Sequence, residues 1–254
     1  MFNLPSRALE MRDQVETFFN TRVLPNNRVW REQMRAGQAV PDIERELRDE
    51  ARDLGLWNMA LPRLTQDESG TRLSNLEFTA VAEVLGRLEW GSRVFNCHAP
   101  DVPNMELLQL FATPEQRTQW LQPLLDGTSG SAFAMTEPEV ASSDPANLQT
   151  SIVREGDEYV INGRKWFASN ASHANCEFLI VVGVTDSDAP KTRRQSMIIV
   201  PRAAHGLSFK RDLPVFDHVS PTNTHPEFRM ENVRVPAENL LGEEGAGFAM
   251  GQAR

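Results

Sequence analysis

Residues 133–144, FAMTEPEVASSD, join a short apolar run to a Thr-Glu-Pro turn and then to a cluster of small polar residues. A strand that ends near Met135 would present backbone N–H groups and the Thr136 hydroxyl at the rim of a sheet. Pro138 favours a turn at this point and removes one backbone donor. Short side chains that can bond the local backbone or a ligand follow at Ser142, Ser143 and Asp144. The stretch predicts either an ordinary turn between strands or a polar rim for a flat heterocycle.

The residues before this stretch have the periodicity of helices. Apolar residues recur at about 3.6-residue intervals over residues 4–19 and again over residues 43–54. Residues 74–77 and 113–116 each have the pattern of a capping box, which predicts a helix start. We therefore expect an all-α domain over residues 1–129.

Beyond Gly130 the pattern changes to short strands. Runs rich in β-branched and aromatic residues alternate with turn signals, and Glu155-Gly156-Asp157 is typical of a hairpin turn. Several short strands of this kind predict an antiparallel β-barrel or sandwich over residues 130–241. Residues 242–254 would begin a further helical domain. The expected fold class is α+β, with the helical domain preceding the strand-rich one.

The composition excludes several classes of protein. The chain has 254 residues and a formal net charge of −9, and the absence of a long basic run argues against nucleic-acid binding. No apolar run approaches the ~20 residues that a bilayer span needs. The N-terminus resembles no targeting peptide, so we expect a cytoplasmic location, with the mitochondrial or peroxisomal matrix left open. Neither the cysteines, Cys97 and Cys176, nor His218 and His225 have the spacing of a metal site.

A second stretch, GRKWFASNAS at residues 163–172, places the large flat indole of Trp166 close to Ser169 and Asn170. An indole beside small polar groups is a suitable wall for a planar cofactor. A core tryptophan on a strand is the competing interpretation. Taken alone, this stretch and the preceding one are each more typical of an ordinary structural role.

Taken together, the stretches resemble the acyl-CoA dehydrogenase family of flavoproteins. The order is that of the family: a helical domain, the helix TPEQRTQWLQPLLDG, the motif AMTEP with SSD after it, and the hairpin segment INGRKWFASNA. The later segment ENVRVPAENLLGEEGAGF resembles the family's passage out of its middle domain. The resemblance extends over essentially the whole chain, and its specificity comes from the order and spacing of these motifs.

The resemblance implies a binding site for FAD. The residues that would contact the cofactor are Phe133, Met135, Thr136, Ser142, Ser143, Trp166, Phe167 and Ala168. Ser143 would also contact the acyl-CoA substrate, and the Thr136 hydroxyl would bond the reactive end of the isoalloxazine. The chain departs from the family where Phe167-Ala168 stands in place of Ile-Thr. A flavin-contacting threonine hydroxyl is therefore absent unless Ser169 takes its role.

The implied activity is the α,β-dehydrogenation of fatty acyl-CoA thioesters by a homo-oligomer that passes electrons to an acceptor flavoprotein. In the family the catalytic base is a glutamate of a C-terminal helical domain, and no glutamate of this chain matches it. Glu137 resembles a structural turn residue, so the resemblance implies an incomplete catalytic site in these residues. Two alternatives stay open. One is a non-catalytic truncated remnant or fragment that binds flavin, acyl-CoA or a partner subunit, and the other is a flavin oxidase or monooxygenase.

Overall fold

The computed structural model describes residues 3–220 and 224–253, which cluster into two compact units. The helical unit comprises Met1–Val102 with Leu125–Gly127, and the strand unit comprises Pro103–Leu124 with Thr128–Arg254. The domain boundaries expected from the sequence, after residues 129 and 241, stay a prediction.

The α-helices of the described residues lie mostly before residue 126. They are α1 (Ser6–Phe18), α2 (Asn27–Arg35), α3 (Asp42–Asp53), α4 (Asn75–Leu85), α5 (Gly91–Val94), α6 (Asp101–Phe111), α7 (Pro114–Gln116), α8 (Gln122–Leu125) and α9 (Gly247–Gly251). A π-helical turn, Phe19–Val23, continues α1, and another, Arg117–Leu121, joins α7 to α8. No helix among the described residues combines the length and apolar character that a bilayer crossing requires.

Two helix starts follow directly from local sequence. At α4 the Glu77 N–H donates to Ser74 Oγ at 3.3 Å, and the Ser74 N–H donates to Glu77 Oε2 at 2.8 Å. Thr113 and Gln116 make the same reciprocal pair at α7, at 3.2 and 3.1 Å. Each box satisfies two backbone donors that a helix start would otherwise leave without partners. Both predicted capping boxes are confirmed.

Aromatic side chains fill the core of the helical unit. Trp30 and Trp90 stack with ring centroids 5.0 Å apart and planes 4° apart, and Phe18 meets Phe95 edge-on at 5.8 Å. All four are buried. Burial of large apolar surface of this kind is the main favourable contribution to folding.

The strands lie between α8 and α9 in the chain. They are β1 (Gly130–Ala134), β2 (Ser151–Glu155), β3 (Glu158–Lys165), β4 (Cys176–Val184), β5 (Gln195–Pro201), β6 (Leu207–Asp212), β7 (Pro226–Pro236) and β8 (Leu240–Leu241). Their order in the sheet is β6-β7-β3-β2-β4-β5-β8, with β1 paired to β4. The predicted hairpin turn at residues 155–157 joins the antiparallel strands β2 and β3.

The fold class is confirmed: a helical region precedes a mostly antiparallel sheet. Two details differ from a regular barrel. β4 pairs in parallel with both β1 and β2, so the sheet is mixed, and the path of pairings does not close on itself among the described residues. The parallel pairing of β1 with β4 joins segments more than 40 residues apart, which short-range turn signals do not reveal.

Candidate functional site

The motif at residues 133–144 lies where two strands share one edge of β4. β1 follows the first part of β4, from Gly130↔Cys176 to Ala134↔Val181, whereas β2 meets β4 only at Ser151↔Val184. The connection between β1 and β2, residues 135–150, departs from that edge of β4 and then rejoins it. Along this path the Thr-Glu-Pro turn lies beside the end of β3.

Thr136 and Trp166 are joined by two hydrogen bonds. The Thr136 Oγ1 hydroxyl donates to the Trp166 carbonyl at 2.6 Å, and the Trp166 N–H donates to the Thr136 carbonyl at 3.1 Å. Because its proton is used in this bond, the Thr136 oxygen keeps lone pairs that can accept from a ligand. Both residues are partly buried. The structure thus brings together the two residues around which the sequence predicts a flat ligand.

Lys165, directly before Trp166, is a fully buried cation. Its Nζ donates to Met135 O at 2.7 Å, Val182 O at 2.7 Å and Glu137 Oε1 at 2.8 Å. These three acceptors match the three N–H bonds of an ammonium group. Burial lowers the pKa of Lys165 to about 8, although the Glu137 carboxylate acts in the opposite direction. Lys165 therefore ties the end of β3 to Met135, which directly follows β1, and to Val182 in β4.

Glu137 completes this set of contacts from the turn. Its Oε2 accepts from the Gln149 N–H at 2.7 Å, and its Oε1 accepts from the Thr150 N–H at 2.9 Å as well as from Lys165. Burial opposes ionisation of this carboxyl, but the Lys165 ammonium and these hydrogen bonds outweigh it and lower the pKa of Glu137. Glu137 is thus held by structural partners, as its turn position in the sequence suggests.

The loop from Trp166 to Asn170 has an unusual backbone. Phe167 and Asn170 have φ values of 50° and 73°, in the left-handed region. For a bulky residue such as phenylalanine this is a genuine outlier, and such conformations are concentrated at functional sites. Asn170 fixes the end of the loop, because its N–H donates to Thr224 O at 2.9 Å and its Nδ2 donates to Ser131 O at 3.0 Å.

Aromatic and polar groups meet along this loop. The Phe167 ring lies edge-on to Trp166 at 5.2 Å and tilted to the His225 ring at 6.4 Å. Phe167 is 45% exposed. Ser169 Oγ and His225 Nδ1 are hydrogen-bonded at 3.0 Å. Thr224 Oγ1 is buried and has no hydrogen-bond partner among the described residues.

The other predicted contacts occupy varied positions. Phe133 and Met135 are partly buried and Ala168 is buried. Ser142 is buried, and its hydroxyl accepts from the Glu137 N–H at 2.8 Å and donates to the Glu137 carbonyl at 3.1 Å, so it closes the turn. Ser143 is exposed, and its side chain makes no hydrogen bond within the described residues.

Two family models together cover most of the chain. Residues 6–128 match the N-terminal domain of acyl-CoA dehydrogenases, and residues 132–232 match their middle domain. The chain belongs to the acyl-CoA dehydrogenase family. The resemblance drawn from the ordered motifs is confirmed, and it places the chain in a family of oxidoreductases.

Individual members of the acyl-CoA dehydrogenase family show the same similarity. The chain is 45% identical to "Probable acyl-CoA dehydrogenase FadE2" of Mycobacterium tuberculosis, over 100% of this chain and 62% of that protein. A solved Mycobacterium abscessus structure assigned to acyl-CoA dehydrogenases is 39% identical with a TM-score of 0.91, over 99% of this chain and 64% of that one. A structure described as the electron transferring flavoprotein of Acidaminococcus fermentans is 26% identical with a TM-score of 0.76, over 100% and 62%. The chain spans just under two thirds of each relative.

Acyl-CoA dehydrogenases generally bind FAD, and the residues present fit such a group. An isoalloxazine has an apolar face, which suits the partly exposed Phe167 ring, and a polar edge with one ring N–H donor and several acceptor atoms, which suits hydroxyls that have free lone pairs or a free proton. Thr136 keeps such lone pairs, and Thr224 has a buried hydroxyl without a partner among the described residues. A buried polar group of this kind costs free energy unless a ligand or water satisfies it.

Sequence reasoning missed three of the residues that shape this candidate site. No motif in the sequence marks Lys165 or Thr224 as a site residue, and the spacing of His225 from His218 is considered only for a metal site, which it does not fit. Among the described residues no group of three or more His, Cys, Asp or Glu side chains could hold a metal ion. A lysine at the last position of a strand, next to a predicted site tryptophan, is the signal that could have drawn attention to Lys165.

Proposed function

We propose that the protein takes part in the FAD-dependent α,β-dehydrogenation of fatty acyl-CoA thioesters and that this chain supplies the wall of the flavin site. The observation that carries the proposal is the pair of hydrogen bonds joining Thr136 to Trp166. Membership of the acyl-CoA dehydrogenase family supports the reaction class. The fatty acyl chain is the part of the proposal that rests on the resemblance alone.

In this proposal the chain binds and orients rather than reacts. Met135, Thr136, Trp166 and Phe167 form the surface toward the cofactor, and the predicted contact Ala168 is buried in the apolar core of the strand unit. When bound, FAD supplies the acceptor for the two electrons that leave the acyl chain. The Thr136 oxygen serves as a hydrogen-bond acceptor because its proton is committed to the Trp166 carbonyl.

The remaining predicted contacts keep distinct parts in the proposal. Phe133 adds apolar lining, and Ser142 acts by closing the turn that carries the rim. The exposed Ser143 hydroxyl is accessible to the cofactor and to the acyl-CoA.

Removal of the α-proton needs a positioned base. Glu137 does not suit that role, because Lys165 and two backbone amides occupy its oxygens and its pKa is lowered. The proposal therefore assigns the base to a part of the enzyme outside these 254 residues. It also includes a homo-oligomer and an acceptor flavoprotein. The likeness to a structure described as an electron transferring flavoprotein supports a flavoprotein partner.

The engaged state of Glu137 also favours a second candidate function. The chain would bind flavin, acyl-CoA or a partner subunit without turning the substrate over. The two candidates share the flavin wall and differ in whether these residues support reduction of the cofactor.

Titration of the purified chain with FAD, followed by anaerobic addition of a fatty acyl-CoA, separates the two candidates. Bound FAD that loses its visible absorption supports dehydrogenation and contradicts the non-catalytic reading. Because the proposal places the base outside these residues, FAD that stays yellow in this chain but bleaches when the rest of the enzyme is present supports dehydrogenation, and FAD that stays yellow in both supports binding without turnover. A chain that leaves added FAD free overturns the flavin site itself.

Two tryptophan variants test the wall directly. Trp166→Ala should alter the fluorescence of bound flavin more than Trp120→Ala, because Trp120 packs against Phe178 at 5.0 Å and lies outside the proposed wall. Equal effects of the two substitutions would remove Trp166 from the site.

A further inference from the structure

The loop between Trp166 and Asn170 is held in a shape that its sequence does not favour. Two non-glycine residues, Phe167 and Asn170, have positive φ, and they bracket Ala168 and Ser169. Strain of this kind persists only where surrounding contacts enforce it. Hydrogen bonds at both ends supply that enforcement here: Trp166 N–H to Thr136 O, and Asn170 N–H to Thr224 O.

The enforced loop presents Ser169 to one specific partner. Ser169 Oγ and His225 Nδ1 lie 3.0 Å apart, and the imidazole ring is also tilted against Phe167. His225 is partly buried at the start of the chain segment that becomes β7. Its other ring nitrogen, Nε2, has no hydrogen-bond partner among residues 3–220 and 224–253.

We propose that His225 is a positioning residue for the flavin site and that it acts through the Ser169 hydroxyl. The inference rests on the proposed function, since it assigns the two residues to the site that holds FAD. It adds a histidine that the motifs do not contain and a reason for the strained loop. His225 would set which way the hydroxyl proton of Ser169 points.

The chemistry of the pair differs from that of Thr136. Burial lowers the pKa of His225, with Asp212 acting in the opposite direction, and this shift favours the neutral ring. A neutral imidazole carries one donor nitrogen and one acceptor nitrogen. If Nδ1 bears the proton, it donates to Ser169, and the hydroxyl proton is available to a ligand. If Nδ1 is bare, Ser169 donates to it and presents only lone pairs.

The Ser169 hydroxyl can therefore serve as donor or acceptor, whereas the Thr136 hydroxyl is committed to the Trp166 carbonyl. A hydroxyl that can change roles suits a cofactor whose ring nitrogen accepts a hydrogen bond when oxidised and carries a proton when reduced. Thr136 and Ser169 would then supply a fixed and an adjustable contact on one wall.

The test is a mutant cycle on the chain loaded with FAD. His225→Leu and Ser169→Ala should each raise the Kd for FAD about threefold to tenfold and displace the visible absorption maximum in the same direction. The double variant should be no weaker than either single one, because both remove the same contact. His225→Asn, which can keep a polar group near the Nδ1 position, should restore most of the affinity. His205→Leu, an exposed histidine, is the control and should change neither quantity.

The outcomes separate this inference from the proposed function. Additive losses in the double variant, or an unchanged spectrum in His225→Leu, would overturn the inference and leave the flavin site standing. A chain that binds no FAD at all overturns both. If His225→Leu fails to fold, the ¹⁵N shifts of the His225 ring give the answer in the unmodified chain and in Ser169→Ala. A change in the Nδ1 shift on adding FAD to the unmodified chain, lost in Ser169→Ala, supports the inference, and identical shifts in both proteins refute it.

Discussion

Glu44 in the helical unit and Glu137 in the strand unit are both buried carboxylates, yet different kinds of donor hold them. Glu44 is held by side chains: Trp30 Nε1 donates to it at 2.9 Å, Arg93 Nε donates at 3.0 Å, and Arg48 Nη1 lies 3.9 Å away. Glu137 is held by two backbone amides and Lys165. The first arrangement ties helices to one another. The second fixes the course of the backbone.

The different donors around Glu44 and Glu137 suggest different structural roles for the two carboxylates. A buried ion pair is often no more stable than apolar residues of the same volume, so its retention needs another explanation. In the helical unit, Glu44 of α3 connects Trp30 of α2 with Arg93 of α5. In the strand unit, Lys165 bonds the carbonyl of Met135, one residue from Thr136. Only the second cluster positions predicted cofactor contacts, and this contrast can be tested.

The largest effect should come from breaking the strand-unit cluster. Lys165→Met leaves the Glu137 carboxylate buried without its cation, and we expect a loss of about 3–5 kcal/mol in the free energy of unfolding. Urea denaturation measures this loss. Under conditions where the variant is still folded, its affinity for FAD should also fall, because the Met135 carbonyl loses its anchor.

Lys191→Met is the matched control for this substitution. Lys191 is exposed, so its removal should change stability by less than about 0.5 kcal/mol. The double variant Glu137→Gln/Lys165→Met should lose less stability than the two single losses added together, because it leaves no unpaired charge. Strict additivity would show that the two side chains do not act as a pair.

A smaller effect is expected in the helical unit. Glu44→Gln keeps the shape of the side chain but removes the charge that Arg93 and Trp30 bond, which should cost about 2–3 kcal/mol. FAD affinity of the folded variant should change less than twofold. Glu46→Gln, exposed on the same helix, is the control and should have little effect. A large drop in FAD affinity in Glu44→Gln would abolish the contrast between the two clusters.

The response to acid provides a third comparison. The pKa of Glu44 is lowered by Arg93, Trp30 and Arg48 against the opposing effect of burial, and the pKa of Glu137 is lowered as described above. A carboxyl whose folded pKa lies below its unfolded value binds fewer protons in the folded state. Its contribution to stability is therefore complete above the ordinary pKa of 4.5 and is lost as the pH falls through the folded value.

Urea denaturation between pH 7 and pH 3 measures this contribution, which amounts to about 1.4 kcal/mol for each unit of pKa depression. The unmodified chain should lose stability below about pH 4.5, and Glu44→Gln and Glu137→Gln should each show a flatter profile in that range. A profile that is as steep in both variants as in the unmodified chain would assign the acid sensitivity to other carboxylates.

The sequence predicted those parts of the fold that depend on near neighbours. The capping boxes at Ser74 and Thr113 and the hairpin turn at residues 155–157 were all visible, because each is decided within four residues. The pairing of β1 with β4 was not visible, since nothing local marks which distant strand an apolar run will join. The sheet was therefore expected to be a regular antiparallel one, and its parallel pairings came only from the structure.

The same distinction applies to the candidate site. Thr136 and Trp166 could be named because each lies in a recognisable motif. The long-range contacts around these two residues could not be predicted. Lys165 bonds Glu137 across 28 residues of sequence, and Ser169 bonds His225 across 56. A positive φ at Phe167 is also invisible in a sequence, because tertiary contacts rather than propensity impose it. The contact roles of the eight predicted cofactor residues stay a prediction that FAD binding will test.

The smallest expected effect concerns the two helix caps, which should not distinguish the units. Ser74→Ala in the helical unit and Thr113→Ala in the strand unit each remove one acceptor for a backbone amide, so each should cost about 1 kcal/mol in urea denaturation. Replacement of Ser74 by glycine should cost only a few tenths of that, because glycine leaves the amide accessible to water.

Since both boxes have the same reciprocal geometry, similar losses are expected from purely local contacts, in contrast to the unequal roles of Glu44 and Glu137. A loss of 3 kcal/mol or more at either cap, roughly what a broken buried network costs, would mean that the cap supports tertiary contacts as well. Such a larger loss is more to be expected at Thr113 than at Ser74, because its partner Gln116 also donates from Nε2 to the carbonyls of Glu238 and Leu240, at 2.7 and 2.9 Å.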